Sequence, residues 1–224
     1  MIGSFFNKGE ITMLLSHDEI EDLLETEVVE YSEPELLNAA SLDIRLGRKL
    51  LIERPEHRRY ENEASMRTLN RVSLRKENKN NSLNLVAWDL LQDGPFLMYP
   101  GEFILAHSHE VFNLPNDISA EYKLKSSMAR IGLEHLNAGW CDAGWHGSVL
   151  TLELKNMTRS HEIELNHLDK IGQMVFFRHR VVKQEHSYAT KGRYNNDRSV
   201  SGAKPDLEAN KKVLVISEGE EDGI

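Results

Sequence analysis

Ser148-Val149-Leu150-Thr151-Leu152-Glu153-Leu154-Lys155-Asn156 alternates without a break: Leu150, Leu152 and Leu154 take one face, and Val149, Thr151, Glu153 and Lys155 the other. Successive strand side chains point to opposite sides, so a period of two predicts a half-buried strand with its leucine face in the core. Glu153 then stands mid-strand on the polar face, either solvated or lining a cleft. Outward from this stretch, strand-like segments recur at residues 40–47, 83–91, 102–109, 118–124 and 173–178. They are separated by Asp93-Gly94-Pro95, Pro100-Gly101, Pro115-Asn116-Asp117, Gly144, Gly147 and Gly172. In residues 40–47, Leu42, Ile44 and Leu46 alternate with Ser41, Asp43 and Arg45, again a half-buried pattern. Near the front, Ser16 followed by Glu19 has the form of a capping box, and Ile20, Leu23 and Leu24 continue at helical spacing. Many short strands behind one short helix predict an all-β sandwich or barrel.

The remainder of the chain is less patterned. Residues 53–81 are rich in Arg, Glu, Asn and Lys and read as a long excursion or a pair of edge strands, not a second core. Residues 1–13 read as an N-terminal extension without the apolar stretch of a secretory signal. Residues 191–224 read as a mobile lid or tail with an acidic end. The expected body is therefore residues 14–190.

Composition narrows the function. A net charge of −9 argues against a broad nucleic-acid surface, although a few gathered cations still suffice for a small anion. Cys141 is the only cysteine, which leaves neither a disulfide framework nor a cysteine-rich zinc site. No run of about 18 apolar residues is present to cross a membrane. A cytoplasmic protein is expected.

Three segments carry the chemistry. Lys125-Ser126-Ser127-Met128-Ala129-Arg130-Ile131-Gly132 sets two hydroxyls at the start of a short helix between two cations, either an oxyanion cradle or an ordinary serine-capped surface turn. Ala138-Gly139-Trp140-Cys141-Asp142-Ala143-Gly144-Trp145-His146-Gly147 is a glycine-flanked turn around one aspartate, whose tryptophans either pack in the core or stack on a base. The Glu153 strand follows. His107 and His109 share a strand face; a metal pair is available there, but paired strand histidines are more often polar surface.

In this order the three segments resemble the dCTP deaminases of the dUTPase-like superfamily, with their RSSLAR-type segment, IDPGW-type turn and TLE strand. The resemblance extends to residues 14–24 as an N-terminal helix, residues 41–47 as a "DxRLG" strand, Tyr99-Pro100-Gly101-Glu102 as "HPGE", and residues 170–176 as "IGQLVF". It covers about residues 14 to 203. It implies a dUTPase-like distorted β-barrel or jelly roll, assembled as a homotrimer with sites between subunits, acting on nucleotides of the dCTP, dUTP and dTTP type.

By matching position, the resemblance makes Glu153 the proton shuttle and Ser126 and Arg130 its catalytic partners. Lys125, Ser127, Met128 and Ala129 complete the phosphate loop. Gly139, Asp142, Thr151, Leu152 and Gln173 contact the nucleoside, Tyr188 and Arg193 belong to the lid, and the Ala138 or Gly139 carbonyl holds the water. The reaction is metal-independent deamination of dCTP to dUTP. One cysteine excludes the H-x-E…P-C-x-x-C set of zinc deaminases, and Mg²⁺ is expected only on the triphosphate. Two alternatives stand beside it: a bifunctional enzyme that carries dCTP on to dUMP, and a nucleotide-sensing module without turnover. The chain departs from the family pattern in several places. Lys125 replaces an arginine and Ala143 a proline, while Trp145 stands where a pure dUTPase has a tyrosine. The 130–142 stretch is one residue short, and residues 147–153 are one long, which points to a β-bulge before Glu153.

Overall fold

The computed structural model describes residues 13–53 and 83–204. Chain contacts divide the protein into two units. Residues 1–52 and 87–201 form the first, which holds every candidate site residue; residues 53–86 and 202–224 form the second, and most of the 53–81 excursion lies outside the described residues.

Helix α1 (His17–Glu25) starts where the capping pattern places it: the Ser16 N–H donates to Glu19 Oε2 at 3.0 Å, and Ile20 and Leu23 are buried. The described strands are β1 (Val29–Glu30), β2 (Leu42–Arg45), β3 (Lys49–Glu53), β4 (Leu85–Asp89), β5 (Phe96–Met98), β6 (Phe103–Phe112), β7 (Ile118–Leu124), β8 (Leu133–His135), β9 (Trp140–Cys141), β10 (Ser148–Asn156), β11 (Ile163–Leu165) and β12 (Lys170–Arg178). Two short helices, α2 (Ser126–Arg130) and α3 (Tyr188–Lys191), complete the set. One sheet runs β4-β3-β6-β10-β8 with β1 also on β6; a second runs β2-β12-β7-β9; β11 and β5 form a separate pair. The protein is all-β with a few short helices. None of the described helices is long and apolar enough to cross a membrane.

The leucine face of β10 lies in the core, with Leu152 and Leu154 fully buried, while Thr151, Glu153 and Lys155 are half-buried. The bulge before Glu153 exists, but its extra residues are on the partner strand. The β6 register passes from Val149↔Val111 to Thr151↔His107, two steps on β10 against four on β6. Ser108 fills the break: its hydroxyl accepts from Leu150 N–H at 2.8 Å and donates to the Glu110 carbonyl at 2.8 Å.

The expected half-exposed face of β2 is instead buried throughout. Arg45 donates through Nε to Glu110 Oε1 at 2.8 Å and through its backbone N–H to Oε2 at 3.0 Å, with Glu33 and the Tyr31 carbonyl completing its fork. Alternation marks the polar side of β2 but says nothing of whether that side meets water or a counter-ion. His107 is likewise buried rather than on a polar surface: Nδ1 donates to the Ser108 carbonyl at 2.7 Å, and Nε2 accepts from Lys49 N–H at 3.3 Å. The two tryptophans of the turn divide their roles. Trp145 is buried and stacked on Phe112 at 5.6 Å, whereas Trp140 is 57% exposed.

Candidate active site

Glu153 is built by strand pairing. Antiparallel β6 and β10 set it opposite Leu105, and β8 lies along the other edge, with Leu154 opposite His135 and Leu136 N–H donating to the Glu153 carbonyl at 3.1 Å. The Glu153 side chain is 28% exposed, and its Oε2 lies 3.5 Å from His135 Nε2. Both atoms are buried, and neither has a hydrogen-bond partner among the described residues. The ring of His135 meets that of Tyr122 edge-on at 4.7 Å, and the Tyr122 hydroxyl is also buried without a partner among the described residues. Burial holds the Tyr122 phenol well above its ordinary pKa, so it stays protonated. Tyr122 fits there because residue 172 is glycine: a Cβ at Gly172 would overlap the phenol ring. A buried polar atom left unpaired costs roughly 1–3 kcal/mol, and here Nε2 and Oε2 face each other without closing a good hydrogen bond.

A second group forms around the Asp142 turn. Asp142 is exposed and accepts from Trp140 Nε1 at 2.9 Å. It lines a cavity of about 410 Å³ together with Ala143, Ser119, His179, Tyr188 and Lys191. Gly144 holds the turn open at φ +85°, and a Cβ there would collide with the Ser187 hydroxyl that caps α3. The segment after α3 is sewn to the same turn: Trp145 Nε1 donates to the Tyr194 carbonyl at 2.9 Å, Asn196 N–H to the His146 carbonyl at 3.0 Å, and Val149 N–H to the Asp197 carbonyl at 2.9 Å. Of the segment expected to be a mobile lid or tail, residues 191–201 are thus docked, and residues 205–224 lie outside the described residues.

The third group is cationic. Lys125 and Lys170 each pair with one carboxylate oxygen of Asp43, and Asn38 donates to the same carboxylate at 3.0 Å. Burial opposes ionisation of Asp43, but the two ammonium groups and Asn38 outweigh it and hold the carboxyl below its ordinary value. Gln173 pairs with Asp43 across β12 and β2, and its Oε1 accepts from the Ser41 hydroxyl at 3.5 Å.

Some expected residues are placed otherwise than as side-chain contacts. Met128 is partly buried against the core, and Leu152 is fully buried, so Leu152 reaches a ligand only through its main chain. The Gly139 carbonyl accepts Tyr122 N–H at 2.8 Å, which favours Ala138 as the carbonyl open to water. Ser126, Ser127, Ala129 and Arg130 are exposed, and the two hydroxyls and the guanidinium have no hydrogen-bond or ion-pair partner among the described residues. Within one chain, nothing joins Glu153 to Ser126 or Arg130. Thr151 is half-buried beside Glu153, and Arg193 lies over the Tyr194 ring at 5.8 Å. His135, Tyr122, Asp43 and Lys170 were not picked out as site residues from sequence, because each draws its significance from a neighbour distant in the chain.

A sequence model of the dCTP deaminase-like family matches residues 14–179. The chain belongs to the dCTP deaminase-like family. Among curated relatives, a protein of Kocuria rhizophila named "dCTP deaminase, dUMP-forming" is 32% identical over 90% of this chain and 100% of its own. One of Nanoarchaeum equitans with the same name is 34% identical over 80% of this chain and 90% of its own. Among solved structures, the 2'-deoxycytidine 5'-triphosphate deaminase from Agrobacterium tumefaciens aligns with a TM-score of 0.56 at 23% identity. That alignment covers 76% of this chain and 49% of that longer one, and establishes a shared fold. The dCTP deaminase-like match spans the Glu153 strand, the Asp142 turn and the Lys125–Arg130 loop, and ends before α3 and the docked segment.

Proposed function

We propose that this protein deaminates dCTP with Glu153 as the proton shuttle and carries the product on to dUMP and diphosphate. The observation that bears most weight is the position of Glu153. It is a mid-strand carboxylate on the half-exposed face of β10, and its buried Oε2 has no hydrogen-bond partner among the described residues. Loss of the 4-amino group requires water to lose a proton at C4, N3 to gain one, and ammonia to leave protonated. One carboxylate near both ring atoms makes these transfers in turn, contributing roughly 10²–10⁴-fold. Ser126 and the Ala138 carbonyl would hold the water, and Arg130 would fix Glu153. Since no bond joins Arg130 to Glu153 in one chain, the reading places them on neighbouring subunits of a homotrimer.

The second step would use Asp142 to orient a water toward the α-phosphate, with Tyr188 over the nucleoside and Lys125 on the phosphates. This dUMP-forming reading is preferred to plain dUTP formation because relatives aligned over most of their length carry that name. Among the described residues no three His, Cys, Asp or Glu side chains are grouped to hold a metal. Mg²⁺ would arrive on the triphosphate, held by phosphate oxygens and water, and neutralise its charge.

Ammonia and diphosphate released from dCTP, each measured separately, test the reading. Both are expected. Ammonia without diphosphate identifies a dUTP-forming enzyme, and dCTP binding with neither product identifies a sensor. Glu153→Gln is expected to retain dCTP affinity and lose ammonia release by roughly 10²–10⁴-fold; an undiminished rate rejects Glu153 as the shuttle.

A further inference from the structure

The three orphaned polar atoms behind β10 occur on side chains in successive contact: Tyr122 against His135, His135 against Glu153. An unpaired buried polar atom destabilises a fold, and an apolar side chain of similar shape would avoid the loss. Phe at position 122 or an apolar residue at position 135 would serve packing better. We propose that His135 is a positioning residue for the deamination assigned above. With its proton on Nε2, it clamps Glu153 Oε2 when nucleotide binds and leaves Oε1 to make the transfers at the pyrimidine. The proposal rests on the Glu153 reading.

The geometry makes His135 the fixed partner. It is 4% exposed, held edge-on by Tyr122, and carried on β8, which is paired to β10 at Leu154. Leu136 N–H bonds the Glu153 carbonyl, so the backbones of the two residues move together. Glu153 is the freer member, and its 3.5 Å separation from His135 is just beyond a good hydrogen bond. Catalytic hydrogen bonds are commonly this long before substrate binds and tighten in the complex. A carboxylate free to turn about its last torsion offers the water either oxygen at varying angles. Tying one oxygen to a rigid imidazole fixes the other, which is a gain in orientation and not in affinity.

Steady-state ammonia release from dCTP and urea-denaturation midpoints, measured on the full chain and on His135→Phe, His135→Gln and His135→Asn, test the clamp. His135→Phe is expected to keep or raise the midpoint and leave KM unchanged, while kcat falls roughly 10²-fold. Gln extends its amide to about the place of Nε2 and should recover most of the rate; Asn, which is shorter, should not. In a Glu153→Gln background, His135→Phe should have little further effect. Equal kcat values in the wild type and His135→Phe, or equal rates for the Gln and Asn variants, overturn the clamp. The Gln–Asn contrast decides the matter even if the Phe variant does not fold. A wild-type chain that releases no ammonia removes the Glu153 reading and the clamp together, whereas turnover indifferent to residue 135 removes the clamp alone.

Discussion

At the scale of the residue, the most consequential pair outside the candidate site is Arg45 with Glu110. Glu110 is fully buried, and burial pushes its carboxyl up even with the guanidinium beside it. Removing one partner strands the other's charge, so Glu110→Ala is expected to cost about 3–5 kcal/mol in urea denaturation. Replacing both together, as Arg45→Met with Glu110→Leu, should recover most of that loss, because the cost lies in the unpaired charge. A Glu110→Ala midpoint equal to that of the wild type would show that water reaches Arg45 and that the strand is less enclosed. Residue identity alone made Glu153 conspicuous as a carboxylate amid leucines. It did not reveal Glu110, because an isolated glutamate in a His-rich strand carries no sign of its counter-ion 65 positions away.

At the scale of the element, the long strands were legible and the short ones were not. The β7 bounds were read from sequence as observed, and β10 and β12 differ from the reading only at their ends, because a long alternating run in β7 and β10, and a continuous apolar run after Gln173 in β12, outweigh local noise. Strands of two or three residues such as β1, β5, β8 and β9 exist only through pairing, which no local period records. The 142–148 turn and the strap from α3 to Ser201 form one such paired element, and Gly144 is its hinge pin. Gly144→Ala would place a side chain at φ +85° and against Ser187, costing about 1–2 kcal/mol in backbone strain alone. Limited proteolysis should then cut first within residues 188–201 while β6 and β10 stay protected. Unchanged protection of the strap would mean that it is held mainly by the later bonds from Asn195 to Asp197.

At the scale of the whole molecule, three histidines set an acid limit. Burial lowers His107, His109 and His167 from their ordinary value of 6.5, with nearby Arg45 adding to the effect on His109 and Arg48 on His167. The unfolded chain therefore binds protons on these side chains that the folded chain does not. Stability is fully present above 6.5 and declines as pH falls through the lowered folded values. Urea midpoints should drop between about pH 7.5 and about pH 5.5, and His107→Asn should flatten the slope. A midpoint that rises on acidification would contradict the buried, neutral assignment.

The sequence by itself determined the strand class, the helix start at Ser16 and the Glu153 face of β10. These follow from nearest-neighbour geometry, the alternation of side chains and the satisfaction of a helix's first donors. Only the tertiary structure decided that the polar side of β2 is buried, that the bulge belongs to β6, that the strap is docked, and that His135 stands behind Glu153. Each of these depends on a partner far along the chain, and burial, counter-ions and orphaned atoms become defined only when the strands are brought side by side.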